Sequence, residues 1–561
     1  MNPPPPRTQA SRLPGTPGAG SLVQGAAALL WLPQAALLAW AVGRLGAGAG
    51  IEAMGLPAAG IVLLGALRAA CEAWGMRQVH AAARARLSVL RAEVALALSA
   101  RSPLDSGRPA SGLAASVIAE QAEAVVPFLV RYGPARWRAS VVPVVILALV
   151  AGFSWMAALV LLVAAPLIPL FMAMVGWRAR AASQAQMIEL GSMNGFLLDR
   201  LRGLATLRSL DAVDATARRL VDSAEALRLR TMAVLRIAFL SSAVLELFSA
   251  LGVAMVAAYV GFHLLGTFDF GAWGRHLSLG QGMFILLLAP AFFEPLRELS
   301  AVWHDRAAGE AALAALDALR SGGTALPGAG AQAHSAALAV VAGAPSVRVH
   351  GLSSAHSGED TLLRDYDMHV AAGEHVALLG PSGSGKTALL SLIAGLLPAG
   401  QGQIVIGGVP LTDRTVAALR GRIAWMGQKP HVFAASVRSN VDLGQVGVAQ
   451  AEVEAAIRFA GLDEVAQARP GVPLGEGGSG LSGGEAARLA LARLAVRPGA
   501  DLLLVDEPTA HLDSETAARV IDALMQLARG KTLIAATHDP VLAARMQRVI
   551  RLDALPQREA A

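Results

Sequence analysis

Eight consecutive residues at 380–387, about two thirds of the way along the chain, follow the spacing GxxxxGKT, which suits the binding of phosphate groups. They lie between an apolar run at 375–379, which predicts a buried strand, and a helical pattern that starts at Ala388. Glycines let backbone N–H groups approach phosphate oxygens, and a helix N-terminus favours negative charge there. A lysine ammonium can reach the β- and γ-phosphates, and a threonine hydroxyl can hold Mg²⁺. The residues predicted to bind the phosphates of ATP in this way are Gly380, Pro381, Ser382, Gly383, Ser384, Gly385, Lys386 and Thr387.

Two neighbouring carboxylates close a second apolar run, which covers residues 501–507 and predicts another buried strand. We expect Asp506 to bind Mg²⁺ through water and Glu507 to polarise the water molecule that attacks the γ-phosphate. Acidic strand ends are common in proteins, so this prediction depends on the position of the pair after the phosphate loop. Together the two segments indicate an enzyme that hydrolyses ATP with the help of Mg²⁺.

A pentapeptide between those segments, Leu-Ser-Gly-Gly-Glu at 481–485, indicates the type of ATPase. The order of phosphate loop, pentapeptide and acidic strand end resembles that of the ABC-type ATPases. In that family the pentapeptide closes over the ATP bound by a second chain, so the resemblance implies an active site shared between two chains. It further implies ATP contacts for Ser482, Gly483, Gly484 and Asp513, catalytic roles for Gln428 and His538, and a contact of Gln428 with Mg²⁺.

The residue expected to stack on adenine departs from the pattern of the family. An aromatic residue ahead of the phosphate loop, most often tyrosine, normally takes this place, whereas the alignment of residues 347–352 puts His356 there. Imidazole can stack on a base but offers less area than a phenol ring. We expect ATP binding to survive with a weaker stacking contribution.

Long apolar runs are concentrated in the first 305 residues or so of this 561-residue chain, whose mean hydropathy is +0.51. A helix needs about 20 apolar residues to cross a bilayer. Six segments approach or reach that length, and only a short turn around Ser154 separates the third from the fourth. The predicted spans are 22–45, 53–76, 136–154, 157–177, 238–265 and 278–300.

Arginines are concentrated in two long segments between the predicted spans, 77–138 and 178–236. Positively charged loops stay in the cytoplasm, so both segments and, with six spans, both termini are predicted to be cytoplasmic. Helical periodicity through most of 181–230 predicts helices that continue beyond the membrane. Loops near 105–122 and 200–214 are expected to transmit motion of the ATPase part to the spans.

The basic character of the chain does not indicate a nucleic-acid partner. The net charge is +6, and the arginines lie beside apolar runs without interleaved aromatic residues. Only three of the 47 basic residues are lysines, among them Lys386. The single cysteine, Cys71, excludes an intrachain disulfide and a cysteine-based metal site. Residues 1–20 are rich in Pro and Gly and are typical of a disordered tail rather than a cleaved signal peptide.

Composition divides the chain into a membrane part and a soluble part. A segment rich in Gly, Ala and Pro predicts a linker between them. The predicted domains are a disordered tail at 1–20, a six-helix transmembrane domain at 21–320, the linker at 321–345, an ATPase domain at 346–555 and a C-terminal tail at 556–561.

The membrane half resembles one family closely, through residues 196–208, 234–246 and 288–297. These segments are similar to those of the CydD-type half-transporters, which pair with a CydC-type chain and are needed to assemble cytochrome bd oxidase. The resemblance covers the whole chain beyond the N-terminal tail. It implies an all-α, six-helix exporter domain of the type I (type IV) class followed by an α/β P-loop ATPase domain. It also implies a CydC-like partner, surrounding lipid, the bacterial inner membrane, and cysteine, glutathione or haem as cargo.

Ionisable side chains inside membrane spans are costly to bury and often functional. Arg68 and Glu72 are four residues apart on one helix, so we expect them to neutralise each other. The same interpretation applies to Glu294 and Arg297, which are three residues apart.

Three further residues are candidates for a substrate cavity. Arg236 and Glu246 have no such neighbour on their own helix, and an arginine can meet the carboxylates of glutathione or the propionates of haem. His80 follows the second span and His304 the sixth, and imidazole is a common ligand of haem iron. A histidine at the membrane edge is more often an interfacial residue, so a haem contact of His304 is a hypothesis. The candidate cavity residues are thus Arg236, Glu246 and His304.

Other functions remain open at this point. A homodimeric lipid or drug exporter has the same ATPase motifs, and a single purified chain with full ATPase and transport activity would favour it. Non-transport ABC ATPases lack six fused spans, so the apolar half of the chain argues against that class. A channel or receptor is a poorer interpretation, because all the hydrolytic residues are present.

Overall fold

The computed structural model describes most of the chain. The described residues are 18–166, 203–329, 343–355, 361–463 and 481–552, except for 106, 110, 275, 382, 446 and 498, together with Phe171, Glu189, Met193, Phe196, Leu197, Asp199, Arg200, Leu201 and Leu474. Several predicted features lie outside them: most of the N-terminal tail, most of the second half of the fourth span, the middle of the linker, the C-terminal tail, Ser382 and His356.

The chain forms two compact units. We call the first, Met1–Ala95 with Ala110–Arg320, the membrane unit, and the second, Leu96–Pro109 with Ser321–Ala561, the ATPase unit. The boundary at Arg320 coincides with the predicted end of the transmembrane domain. Residues 96–109 lie far from the ATPase motifs in sequence but belong to the ATPase unit by their contacts.

The described part of the membrane unit is helical. Its helices are α1 (Ala19–Leu29), α2 (Trp31–Gly46), α3 (Gly55–Ser99), α4 (Ser111–Ala119), α5 (Val125–Pro127), α6 (Gly133–Phe153), α7 (Trp155–Ala164), α8 (Leu204–Ser209), α9 (Val213–Leu264), α10 (Leu279–Ala301) and α11 (Trp303–Arg320). Short 3₁₀ turns at Ile51–Met54 and Gln121–Ala124 and a π-helical turn at Phe128–Tyr132 complete it.

Five described helical segments are long and apolar enough to cross a membrane, and each overlaps one of the six predicted spans. They are Ala19–Gly46, Gly55–Ser99, Ser111–Phe153, Ala243–Leu264 and Leu279–Arg320. The fourth predicted span begins in the shorter apolar helix α7, and from residue 167 on it lies outside the described residues apart from Phe171.

The first and fourth spans show how local sequence shapes these helices. The first is broken at Leu30, because Pro33 has no N–H to donate to the Leu29 carbonyl. The predicted tight turn at Ser154 is confirmed: this residue separates α6 from α7 and caps α7 by accepting from the Ala157 N–H. Its fully buried hydroxyl also donates to the Gly271 carbonyl at 2.7 Å, which fixes the hairpin to the loop between α9 and α10.

The described residues of 181–230 are mostly helical, as the sequence predicts, with one interruption. Helix α8 ends at Ser209 and α9 begins at Val213, and between them Asp211 adopts a left-handed conformation with φ of 51°. Such a backbone angle is unfavourable inside an α-helix of L-residues. The interruption falls within the 200–214 segment that the sequence predicts as a coupling loop.

The described part of the ATPase unit consists of two sheets and seven helices. The strands are β1 (Val347–Ala355), β2 (Thr361–Val370), β3 (His375–Leu379), β4 (Gln401–Ile406), β5 (Val409–Pro410), β6 (Ile423–Met426), β7 (Leu502–Asp506), β8 (Thr532–Ala536) and β9 (Arg548–Arg551). The helices are α12 (Lys386–Ile393), α13 (Val416–Gly421), α14 (Val437–Asp442), α15 (Gln450–Phe459), α16 (Gly483–Ala495), α17 (Ser514–Leu527) and α18 (Pro540–Ala544).

The two sheets differ in direction and role. One is antiparallel with the order β2-β1-β4-β5, and the other is parallel with the order β6-β7-β8-β3-β9. All five residues of β7 and all five of β8 are buried, as expected for central parallel strands covered on both faces. The predicted strands at 375–379 and 501–507 therefore correspond to β3 and β7. Their carboxyl ends lie at one edge of the parallel sheet.

The segment Leu96–Pro109 packs against the start of the linker. The Leu326 N–H donates to the Ala100 carbonyl at 2.8 Å, and the Ser102 N–H donates to the Thr324 carbonyl at 2.9 Å. The buried Ser102 hydroxyl donates to the Leu396 carbonyl at 2.6 Å, just after α12. Hydrogen bonds thus connect this segment directly to the ATPase core.

Candidate functional site

The candidate nucleotide site forms at the carboxyl edge of the parallel sheet. Leu378 of β3 and Asp506 of β7 both pair with Ala536 of β8, so the segments that follow these three strands emerge side by side. Met426 of β6 pairs with Val505, which brings the segment containing Gln428 to the same edge. Ligands bind at this edge in α/β proteins generally.

The phosphate loop folds around its lysine. Gly383 and Gly385 have φ of 83° and 89°, values that favour glycine. A Cβ on Gly380 would come within 2.5 Å of the Leu552 carbonyl oxygen, so a side chain is excluded there. Lys386 is buried at the start of α12, and its Nζ donates to the carbonyls of Gly380 at 2.8 Å and Pro381 at 2.9 Å. The loop thus holds an ammonium at the N-terminus of a helix, where phosphate oxygens are also favoured.

Two oxygen groups beside the loop suit a magnesium ion. Thr387 Oγ1 donates to Asp506 Oδ2 at 2.8 Å, and Asp506 Oδ1 is buried without a hydrogen-bond partner in the described structure. Burial raises the pKa of the Asp506 carboxyl, and the neighbouring Glu507 also raises it, while the Thr387 hydrogen bond opposes the shift. A buried carboxylate oxygen without a partner and an adjacent hydroxyl are the hard ligands that Mg²⁺ prefers. The residues therefore fit this ion.

Glu507 is held between two polar side chains. Gln428 Nε2 donates to Glu507 Oε2 at 3.1 Å, and His538 Nδ1 lies 3.4 Å from Glu507 Oε1. Glu507 has a left-handed backbone with φ of 47°, and its N–H donates to the Ala536 carbonyl at 2.9 Å. Strained backbone of this kind is concentrated at functional sites. The structure thus brings together all three predicted catalytic side chains, whose roles stay predictions.

The pentapeptide and Asp513 lie at helix N-termini. Ser482 caps α16 by accepting from the Glu485 N–H at 3.2 Å, and the Glu485 carboxylate accepts from the Ser482 N–H at 2.6 Å. This reciprocal capping box fixes the exposed segment Ser482-Gly483. A Cβ on Gly484 would come 2.9 Å from a methyl carbon of Thr516 in α17, so the two helices approach closely there. Asp513 caps α17, and hydrogen bonds from the Thr516 N–H lower the pKa of the Asp513 carboxyl.

The charged residues of the membrane unit pair differently from the sequence prediction. Arg68 and Glu72 form the expected ion pair at 3.0 Å. The predicted pairing of Glu294 with Arg297 is wrong, because Arg297 Nη1 donates to Glu246 on α9 at 2.9 Å. Glu246 thus has a partner that lies 51 residues away, and no helical spacing could reveal it.

A cavity of about 280 Å³ lies in the membrane unit, between α1, α2, α3, α6 and α10. It is lined by two arginines and two glutamates among apolar residues, namely Arg68, Arg138, Glu294 and Glu298. None of the three predicted cavity residues lines it: Arg236, Glu246 and His304 are exposed on the unit. The sequence signal that could have found Arg138 and Glu298 is their charge within spans three and six.

Comparisons with known proteins agree with both halves of the fold. The family model for the ABC transporter transmembrane region matches residues 137–296, and the model described as ABC transporter matches residues 363–510. The glutathione/L-cysteine transport system ATP-binding/permease protein CydD of Haemophilus influenzae is 37% identical over 440 residues, which cover 78% of this chain and 73% of that protein.

The chain belongs to the CydD family of ABC transporters. A CydC protein of the same kind of transport system from Bacillus subtilis is 30% identical over 401 residues, covering 71% of this chain and 67% of that protein. The structure of a bacterial Atm1-family ABC exporter with ATP bound has a TM-score of 0.76 at 22% identity, covering 95% of this chain and 92% of that one. This likeness confirms the exporter fold. The CydD-family chain is therefore a multi-pass membrane protein that couples ATP hydrolysis to transport.

Proposed function

We propose that this chain exports cysteine or glutathione as one half of a transporter that supports assembly of cytochrome bd oxidase. The observation that carries the proposal is the likeness to a glutathione/L-cysteine transport protein across both the membrane and the ATPase halves. Thiols are favoured over haem because that relative is named for the transport of glutathione and L-cysteine. The CydD-type resemblance supplies the link to the oxidase.

We infer that the partner is a CydC-like chain and that the two chains bind two ATP molecules between them. The reciprocal capping box presents Ser482 and Gly483 on the surface, where a second chain can reach them. In the proposed pair these residues complete the partner's ATP site, and the phosphate loop of this chain is completed by the partner. We further propose that the pair lies in the bacterial inner membrane with both termini in the cytoplasm, as the arginine-rich segments favour.

We propose that Glu507 is the general base of hydrolysis. Its carboxylate accepts a proton from the attacking water, and Gln428 and His538 hold that carboxylate in place through the two contacts described above. Lys386 balances phosphate charge, and Thr387 and Asp506 would hold Mg²⁺. When bound, the ion neutralises charge that develops on the phosphate oxygens.

We also propose the predicted domain boundaries. The transmembrane domain begins at residue 21, the linker at 321, the ATPase domain at 346 and the C-terminal tail at 556.

Transport by the pair of chains tests the proposal. Inside-out vesicles that contain this chain and a CydC-like partner should take up labelled cysteine or glutathione when ATP is supplied. The same vesicles with Glu507→Gln in this chain, matched for protein amount, should take up less. Uptake of haem without uptake of either thiol would contradict the proposed cargo. Full transport by this chain alone would contradict the proposed partner and favour a homodimeric exporter.

A further inference from the structure

The cavity of the membrane unit has an unusual balance of charge for a space among membrane-spanning helices. Its two arginines and two glutamates come from three helices, with Arg68 on α3, Arg138 on α6, and Glu294 and Glu298 on α10. Ionisable groups within membrane spans are rare and generally serve a function. Equal numbers of acidic and basic groups suit a ligand that itself carries both charges.

Two of these groups are not satisfied by the protein. Arg138 Nη2 forms an ion pair with Glu298 at 3.1 Å, but Arg138 Nε is buried without a hydrogen-bond partner in the described structure. Glu294 is exposed to the cavity and forms neither an ion pair nor a hydrogen bond with any described residue. A buried guanidinium N–H without an acceptor costs free energy that a ligand carboxylate can recover. A free carboxylate in the same cavity can accept from a ligand ammonium.

Backbone chemistry adds a further acceptor to this cavity. Pro295 lies inside α10 and has no N–H, so the Ala291 carbonyl one turn earlier loses its usual helical donor. Ala291, Glu294 and Pro295 all line the cavity, so the helical turn that lacks this hydrogen bond borders it. An ammonium group has three donors, and a carboxylate with a neighbouring carbonyl can accept two of them.

The remaining walls and the size restrict the ligand further. Trp31, Leu32, Val142 and Ile146 supply apolar surface around the charged groups. The volume of about 280 Å³ lies just below the range of about 300–1,000 Å³ that is usual for small-molecule sites. The space therefore suits a small molecule with an apolar or soft side chain.

We propose that this cavity binds a zwitterion of the amino-acid or short-peptide class, with its carboxylate at Arg138 and its ammonium at Glu294. The inference rests on the proposed function, and it names the place where a thiol such as cysteine is recognised before transport. Arg138 lies near the start of the third predicted span and Glu294 and Glu298 near the end of the sixth. With the predicted orientation, both positions are at the cytoplasmic end, where an exported molecule enters.

Cysteine and two truncated analogues test the two contacts separately. 3-Mercaptopropionate lacks the ammonium group, and cysteamine lacks the carboxylate. Vesicles with the full-length pair should transport cysteine with an apparent KM about 10-fold or more below those of both analogues, since hydrogen bonds to charged groups are the strong ones. Glu294→Gln should abolish the preference for cysteine over 3-mercaptopropionate and keep the preference over cysteamine. Arg138→Gln should abolish the preference for cysteine over cysteamine and keep the preference over 3-mercaptopropionate.

The ratio of two KM values within one preparation does not depend on how much protein is folded, so partial misfolding of a variant leaves the test valid. Glu310→Gln is the matched control, because it removes the same charge from α11 outside the cavity, where Glu310 pairs with Arg306. It should leave both ratios unchanged. Wild-type transport of cysteine with unchanged ratios in both cavity variants would overturn the site and leave the proposed function standing. Absence of thiol transport by the wild-type pair would overturn the proposed function and the site with it.

Discussion

The nucleotide-binding edge and the membrane cavity both gather charged side chains from distant parts of the sequence, but by different means. At the edge, Thr387 and Asp506 are 119 positions apart and meet because both lie near the carboxyl ends of buried strands of one parallel sheet. In the cavity, Arg138 and Glu298 are 160 positions apart and meet only because two helices pack together. Strand pairing therefore determines the first site, and helix packing determines the second.

The largest expected effect concerns Glu507, whose geometry depends on contacts at the nucleotide edge. Replacing this residue with Gln should lower ATP hydrolysis by the pair by about 10²–10⁴-fold at this site, because a general base contributes that much. ATP binding should persist, since Lys386 and Thr387 are intact. Glu515→Gln removes a carboxylate from the nearby α17, where it pairs with Arg519, and should leave hydrolysis unchanged. Equal losses in both variants would show that charge alone, and not the position of Glu507, matters.

The next largest effect is expected for Ser482, which is proposed to complete the ATP site of the partner chain. Asp caps a helix as well as Ser does, so Ser482→Asp should preserve α16 and add a negative charge where the partner's γ-phosphate is expected. Hydrolysis by the pair should fall by about half or more, because like charges facing each other cost several kcal/mol. Ser482→Ala instead loses the cap, at about 1 kcal/mol.

A pair of chains in which the partner's phosphate loop is disabled by mutation shows which ATP site Ser482 completes. In that pair, Ser482→Asp in this chain should cause no further loss of hydrolysis. The remaining ATP is then held by Lys386 and closed by the partner's pentapeptide. A further loss in that pair would mean that Ser482 acts on the ATP of its own chain.

The membrane unit provides a smaller effect that depends on long-range packing. Ser154→Ala removes the cap of α7 and the shorter of two hydrogen bonds to the buried Gly271 carbonyl, which keeps only the Met156 N–H at 3.3 Å, so it should lower the free energy of unfolding by about 1–3 kcal/mol. Ser140 offers the control, because its exposed hydroxyl bonds only to the Arg136 carbonyl on the same helix. Thermal unfolding of the purified pair of chains in lipid particles measures the Tm of the Ser154 and Ser140 variants. Similar small decreases in Tm for the two variants would show that other contacts stabilise the hairpin.

The smallest expected effect has the opposite sign. Because burial raises the pKa of Asp506, the nucleotide-free fold favours the protonated carboxyl, and that stability is lost as the pH rises through the raised pKa. Asp506→Asn should therefore raise the Tm of the nucleotide-free protein at neutral pH by about 2–4 °C for each kcal/mol gained. The gain should shrink as the pH falls below that pKa. Asp513→Asn should give no gain, since its hydrogen bonds favour the ionised form; a gain there would contradict the interpretation.

The nucleotide site could be predicted from sequence to the level of individual strands. Apolar runs at 375–379 and 501–507 correspond to β3 and β7, because buried parallel strands are nearly continuous apolar segments. The contact of Gln428 with Glu507 follows once their strands, β6 and β7, are neighbours. Five of the six membrane spans could also be predicted from the length and hydropathy of their apolar runs.

The charged contacts of the membrane unit could not be predicted in this way. Helical spacing suggested that Glu294 neutralises Arg297, but the guanidinium instead reaches Glu246 on another helix. Spacing predicts contacts only within one helix, and the rotation of each helix about its axis depends on its packing. The break at Asp211 escaped detection for a related reason, because the surrounding residues keep helical periodicity.

The contact between Ser102 and Leu396 has a practical consequence for any attempt to isolate the catalytic half. A fragment that starts at residue 346 would lack the segment Leu96–Pro109 and would lose the donor to the Leu396 carbonyl. Such a fragment exposes a surface that the native chain covers with sequence from nearly 300 positions earlier. We expect it to be less soluble than the intact protein, and a short peptide covering 96–109, supplied separately, to restore part of that loss.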